Sequence, residues 1–243
     1  MNLLIAGGTD GLGLGFLKLM INSGGKWNIN KIYVLGRHFT QVDQLRTSIE
    51  IVRLKCDITD NDQLMSVFET ISDGSLDVFI NTIGSFIKDQ ESTLNPMVVK
   101  THFDLNASAN INLLVGLLPK LKSDAQLLIC LSSLCDYLQG RLGYGLQGAT
   151  KVAYKYYLES LALELKNTSP EMRIMTINPS GIQTQIFKKG NDNRSTVNYA
   201  TVEQIAAIME FQLLLPRNLT IPHLVIYNTG VPPVNPTLHR GAF

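Results

Sequence analysis

The sequence predicts one doubly wound α/β domain over residues 1–243, built on a parallel sheet of about seven strands. Three observations predict it. Short apolar runs of strand length alternate with helical patterns along the chain. The runs are nearly continuous in Val, Ile, Leu and Phe, as in strands covered on both faces. A glycine cluster stands at the first strand-to-helix junction, where such a sheet carries its binding crevice.

In chain order, the expected strands are 2–6, 31–35, 51–55, 76–81, 125–132, 173–178 and 223–227. Helices are expected near 11–22, 40–49, 60–72, 97–118, 145–167 and 202–214, where apolar residues recur at helical spacing. Residues 188–198 (KKGNDNRSTVN) form the most polar stretch and read as a mobile loop, within a 185–200 segment expected to cover the pocket. The tail after Gly230, with Pro232, Pro233 and Pro236, reads as extended coil. The helical patterns at 111–118 and 150–165 are apolar nearly all round, which predicts a homodimer or homotetramer packed on them.

Composition narrows the function classes. Lys and Arg number 21 against 20 Asp and Glu, so the chain carries no global field for nucleic acid or an anionic membrane. Cys56, Cys130 and Cys135 make an odd set without a CxxC, and the four histidines lack metal-site spacing. Reduced thiols and no metal are therefore expected. The first residues carry no basic n-region, and no apolar run reaches membrane-span length. A cytoplasmic protein without a membrane partner is the expectation.

The first strand runs into Gly7-Gly8-Thr9-Asp10-Gly11-Leu12-Gly13 and then a helix. Glycine permits positive φ and close backbone approach to a pyrophosphate, and the following helix offers unpaired N–H groups to the anion. The second strand ends in Gly36-Arg37-His38, with no acidic residue from 31 to 42. An acid there suits a ribose 2′-hydroxyl, whereas an arginine suits a 2′-phosphate. NADP(H) is the cofactor expected.

These features, with others along the chain, resemble the short-chain dehydrogenase/reductase (SDR) superfamily over roughly residues 2–230, a Rossmann-like fold. Ala6-Gly7-x3-Gly11-x-Gly13 resembles that family's TGxxxGxG, with Ala6 where Thr is usual. The resemblance implies that Asp57 and Ile58 meet the adenine, and that Asn81, Thr82 and Gly84 (Asn-Thr-Ile-Gly, like NNAG) support the cofactor. Asn106 falls where the family holds a water in its proton relay. Ser133 falls where it orients the substrate. Pro179-Ser180-Gly181-Ile182-Gln183-Thr184 resembles the PGxxxT turn, with Thr184 on the nicotinamide amide, so Pro179, Gly181 and Ile182 join the cofactor set with Thr9, Asp10 and Leu12.

The active-site pattern departs from the usual Tyr-x3-Lys. Gln147 stands four residues before Lys151, and a glutamine supplies no phenol proton. Tyr144 stands seven before Lys151, a Tyr-x6-Lys spacing similar to the enoyl-acyl-carrier-protein reductases. The resemblance implies Asn106, Ser133, Tyr144 and Lys151 as the catalytic set, with Lys151 also bonding the nicotinamide ribose. The expected activity is NADPH-dependent reduction of a carbonyl or enoyl group on a small or carrier-bound substrate. The broken motif leaves two alternatives: a non-redox enzyme, or a silent NADP(H)-binding protein.

Overall fold

The computed structural model describes residues 1–23, 26–88, 94–132 and 143–229. Seven parallel strands form one sheet in the order β3-β2-β1-β4-β5-β6-β7. They are β1 (Asn2–Ala6), β2 (Lys31–Gly36), β3 (Glu50–Lys55), β4 (Leu76–Asn81), β5 (Leu121–Cys130), β6 (Arg173–Pro179) and β7 (His223–Ile226). The order reverses between β1 and β4, with Ala6 of β1 paired to Leu35 of β2 on one side and to Asn81 of β4 on the other. The crevice of a doubly wound sheet opens at this reversal, beyond the carboxyl ends of the strands.

The strands are apolar on both faces because both faces are covered. On one face Leu4, Phe79 and Leu127 pack with Leu113, Leu117, Tyr154 and Leu158, from α4 (Ala109–Leu117) and α5 (Gly145–Thr168). On the other, Leu3, Ile5 and Ile80 pack with Phe16, Leu17 and Met209, from α1 (Gly11–Asn22) and α7 (Val202–Leu214). Helix α2 (Asn61–Thr70) is started by Asp60, whose carboxylate accepts from the Asp62 and Gln63 amides. Thr201 and Gln204 close a reciprocal capping box at the start of α7.

Two expectations are corrected and one, the helix at 97–118, is refined. Residues 40–49 form turns instead of a helix. A single Asp43 N–H to Phe39 C=O bond of 2.9 Å closes one α-turn, and the Thr47 hydroxyl captures the Ile49 amide at 3.0 Å. Thr40, Val42, Thr47 and Ile49 are β-branched and pay for a helix in χ1 freedom, while Val42 still docks into the core. Residues 97–118 carry three helical segments: α3 (Pro96–Phe103), a π-helical turn (Asp104–Ser108) and α4. The excess apolar surface of α5 is narrower than its sequence suggests. Leu161 is buried in its own chain, and Tyr157 and Leu165 lean on the same core. The tail from Gly230 lies outside the described residues.

Candidate active site

A cavity of about 450 Å³ runs along the carboxyl ends of the strands. Its floor is the glycine turn. Gly7 and Gly11 hold φ of +80° and +51°, the left-handed region where a side chain is strained. A Cβ on Gly7 would stand 2.6 Å from the Thr82 hydroxyl, whereas one on Gly11 would meet only Thr184, at 3.7 Å. Gly11 thus faces open cavity at the start of α1. Gly13 sits beneath the turn, where a Cβ would collide with the Gly7 carbonyl at 2.3 Å. Asp10 caps α1 through the Gly11 amide at 2.7 Å. Lys189, from the short helix α6 (Ile186–Lys189), forms an ion pair with Asp10 and holds that carboxyl below the usual range.

At one end of the cavity Arg37 and Asp57 face each other at 3.7 Å, with Arg37 70% exposed. An ion pair this open contributes little to stability. The Asp57 carboxylate is held below its usual range chiefly by the Thr59 hydroxyl, with Arg37 adding to it. Ile58 lines the same end.

The other end is built on a buried polar cluster. Asn81, at the end of β4, donates to Asn110 at 2.7 Å and to the Tyr154 phenol at 3.3 Å, and its carbonyl accepts from the Ile83 amide at 2.9 Å. This fixes the chain that leads into Gly84 and Ser85. The π-helical turn brings Asn106 inward to meet that chain, a use to which such turns are often put. Asn106 accepts from the Ser85 amide at 2.8 Å and donates to the Ser85 carbonyl at 3.1 Å. A Cβ on Gly84 would stand 2.7 Å from Lys151 Nζ and 3.3 Å from Asn106 Oδ1, so the lysine ammonium lies against the Gly84 backbone. Gln147 is buried and meets His102 Nε2 at 2.7 Å.

An aromatic wall closes this end. Phe86, Tyr144 and Phe187 surround the Arg194 guanidinium, whose centre lies 4.6–5.6 Å from the three rings. Arg194 pairs with Asp192 and donates to the Tyr144 phenol oxygen at 2.7 Å. Burial works against its charge, but these partners outweigh that cost and hold it more firmly protonated than a solvated arginine. From the polar segment 188–198, Lys189, Gly190 and Arg194 line the cavity.

The cavity brings Gly7, Thr9, Asp10, Gly11 and Leu12 together with Arg37, Asp57, Ile58, Thr82 and Gly84. It adds Tyr144, Lys151, Pro179, Gly181, Ile182 and Thr184 from the later elements. Gly13, Asn81 and Asn106 stand behind this lining as supports. Ser133 lies outside the described residues; its neighbour Ser132 is on the cavity wall. Tyr144 precedes the first turn of α5 as its cap residue, with φ −141°, instead of riding inside the helix. Sequence reasoning missed Ser85, Phe86 and His102, and it placed Arg194 over the pocket without its bond to Tyr144. The only signal for His102 was its position four residues before Asn106, one helical turn away. Among the described residues no cluster of His, Cys, Asp or Glu could hold a metal, and no helix is long and apolar enough to cross a membrane.

A glycine turn that opens a helix onto a cavity, with Arg37 at one end and Lys151 at the other, fits a dinucleotide. The family model described as short chain dehydrogenase matches residues 1–195. The chain belongs to the short-chain dehydrogenase family. Among curated relatives, this family member is 20% identical to the uncharacterized oxidoreductase Lmo0432 of Listeria monocytogenes, over 95% of this chain and 97% of that one. It is 26% identical to 3-dehydrosphinganine reductase TSC10B of Arabidopsis thaliana, over 50% of this chain and 37% of that one. Among solved structures, a short-chain dehydrogenase/reductase from Vibrio parahaemolyticus superposes with TM-score 0.77 at 22% identity, covering 95% and 98% of the two chains. A short-chain dehydrogenase from Sphingobium yanoikuyae, solved in complex with NADPH, superposes with TM-score 0.75 at 18% identity, covering 98% and 88%.

Proposed function

We propose that this short-chain dehydrogenase uses NADPH to reduce a carbonyl or enoyl group on a small or carrier-bound substrate. The observation that carries the reading is the single cavity that joins the glycine turn and Arg37 to Lys151 and Tyr144. When bound, the reduced nicotinamide supplies the hydride. The α1 N-terminus and the Gly11 backbone take the pyrophosphate. Arg37 takes a ribose 2′-phosphate through charge-assisted hydrogen bonds, which suit a guanidinium. The family resemblance assigns the ribose to Lys151 and the nicotinamide amide to Thr184. Tyr144 donates to the substrate oxygen on which negative charge develops, with Arg194 fixing the phenol.

Phe86, Leu105 and Phe187 give the substrate end apolar walls, so the group reduced belongs to a molecule with an apolar body. Fluorescence titration with NADPH and NADH, followed by an absorbance screen of ketones, quinones and enoyl thioesters, tests the reading. Tighter NADPH binding and consumption of NADPH by at least one of these classes supports it. Equal affinity for both dinucleotides, or no reduction of any class, rejects it.

A further inference from the structure

Gln147 stands where the family places its phenol, and the structure shows what the glutamine does instead. Its Oε1 lies 2.7 Å from His102 Nε2. On the other side of the ring, His102 Nδ1 lies 3.1 Å from the Ser85 hydroxyl. Ser85 is on the cavity wall beside Gly84, while His102 is only 6% exposed and stands behind it. Three side chains from three elements form one line: hydroxyl, imidazole, carboxamide.

We propose that Ser85, His102 and Gln147 are a proton relay of this cavity, with Ser85 the catalytic hydroxyl and His102 and Gln147 acting through it. The proposal rests on the reductase reading and adds the source of the proton. With Oε1 facing the ring, the amide oxygen can only accept, so the Nε2 proton is directed to Gln147. Asn106 Nδ2 also approaches Nε2, at 2.9 Å, but its hydrogens have acceptors in the Ser85 carbonyl at 3.1 Å and the Thr150 hydroxyl at 3.4 Å. Nδ1 is thereby the nitrogen that exchanges a proton with Ser85. The Gln147 acceptor suits both the neutral and the charged ring, because Nε2 keeps its proton in each.

Among the described residues, the charged groups about this line include Lys151 of α5, against Gly84 and Asn106, Arg194 with Asp192 at Tyr144, and the Lys100–Asp104 pair on the stretch that carries His102. The step balances. The substrate carbonyl carbon gains a hydride from the reduced dinucleotide, and the carbonyl π pair moves to oxygen. That oxygen takes the Ser85 proton as the Nδ1 proton of the His102 imidazolium passes to Ser85. His102 is left neutral, protonated at Nε2, and takes its next proton at Nδ1 from solvent through Ser85 once product leaves. Tyr144 serves as a second donor to the same oxygen.

The relay is tested first without substrate. Nitrogen-15 spectra of histidine-labelled protein, with His102 identified by His102→Gln, report which ring nitrogen holds the proton. The neutral ring is expected protonated at Nε2, with the signals shifted by Ser85→Ala and by Gln147→Leu. A ring protonated at Nδ1, or signals unmoved by both substitutions, overturns the relay. The second arm uses wild type and variants with NADPH and a carbonyl reduced in the screen. Ser85→Ala and His102→Gln should lower kcat by roughly 10²–10⁴ and abolish the solvent deuterium isotope effect, with little change in KM. Ser85→Thr, which keeps the hydroxyl, should recover most of the rate. A His102→Gln enzyme that keeps wild-type kcat and isotope effect overturns the proposal. If the screen finds none of its classes reduced, the reductase reading falls, and the nitrogen spectra still decide the relay.

Discussion

Arg194 donates a hydrogen bond to the phenol oxygen of Tyr144 at 2.7 Å, across 50 residues of sequence. A guanidinium has no acceptor, so Tyr144 accepts at this contact and its own hydroxyl proton must go to another partner. The phenol ring is also fixed, because the same guanidinium lies against it at 5.6 Å and is clamped by Asp192. Tyr144→Phe should lower kcat by roughly 10²–10³, the scale of one lost oxyanion donor, and leave dinucleotide affinity nearly unchanged. Arg194→Met should act in the same direction by a smaller factor, because the phenol remains but loses its orientation. Steady-state kinetics of the two variants, with NADPH fluorescence titration as the control, check both outcomes.

Arg37 is mostly solvent-exposed and pairs with Asp57 at 3.7 Å. Its removal should cost the fold little. Its value lies with the ligand, where a charge-assisted hydrogen bond to a phosphate contributes about 1.5–3 kcal/mol. Arg37→Ala should therefore weaken NADPH roughly 10–100-fold and leave NADH affinity almost unmoved. Calorimetric titration of both dinucleotides measures this. A parallel loss for both would place Arg37 at some group other than the 2′-phosphate.

The strands were legible because each is a short apolar run, and all seven appear where the runs stand. The helix missing at 40–49 shows the limit of periodicity. Val42, Leu45 and Ile49 have helical spacing, but β-branched residues and a local Thr47 turn decide the conformation. The glycine turn and Arg37 were legible from their places after the first two strands, and Lys151 and Thr184 from the family resemblance; all of them line the cavity. The contacts of Arg194, Ser85 and His102 were not legible, because their meaning arises only across the fold. Arg194 acts on a residue 50 positions earlier, and Gln147 on one 45 positions earlier. No local pattern records such pairs, and Gln147 by itself reads simply as a missing tyrosine.

The thiols lining the cavity should be inert. Burial pushes both Cys56 and Cys130 up to about 11, with Asp57 and Asp60 adding to the effect at Cys56. At pH 7.5 the reactive thiolate is then a fraction of order 10⁻³ or below. Iodoacetamide at that pH should leave Cys56 and Cys130 unmodified in the folded protein and label both in denaturant, as read by peptide mass spectrometry. Rapid labelling of either in the folded chain would show a thiolate population far above this.

Self-association is the last expectation, and the structure narrows where it would occur. Helix α5 buries Tyr154, Leu158 and Leu161, but leaves Val152 44%, Tyr156 72% and Leu163 62% exposed. These three fall within about 40° of one another around the helix, so they form a single stripe. On α4, Val115 is likewise exposed. Isolated apolar residues on a surface are ordinary, whereas an aligned stripe on an outer helix of a sheet covered on both faces is the pattern of a face covered by another subunit. We propose a homodimer or homotetramer with α4 and α5 at its centre. A stable interface would bury roughly 800 Å² per partner, more than the stripe alone supplies, so flanking polar residues must join it. Light scattering coupled to size exclusion at about 10 μM should give at least twice the monomer mass. Tyr156→Glu with Leu163→Glu should shift the population towards monomer and leave the circular dichroism spectrum unchanged, because neither side chain contributes to the core. A wild-type protein that elutes as monomer at that concentration rejects the assembly.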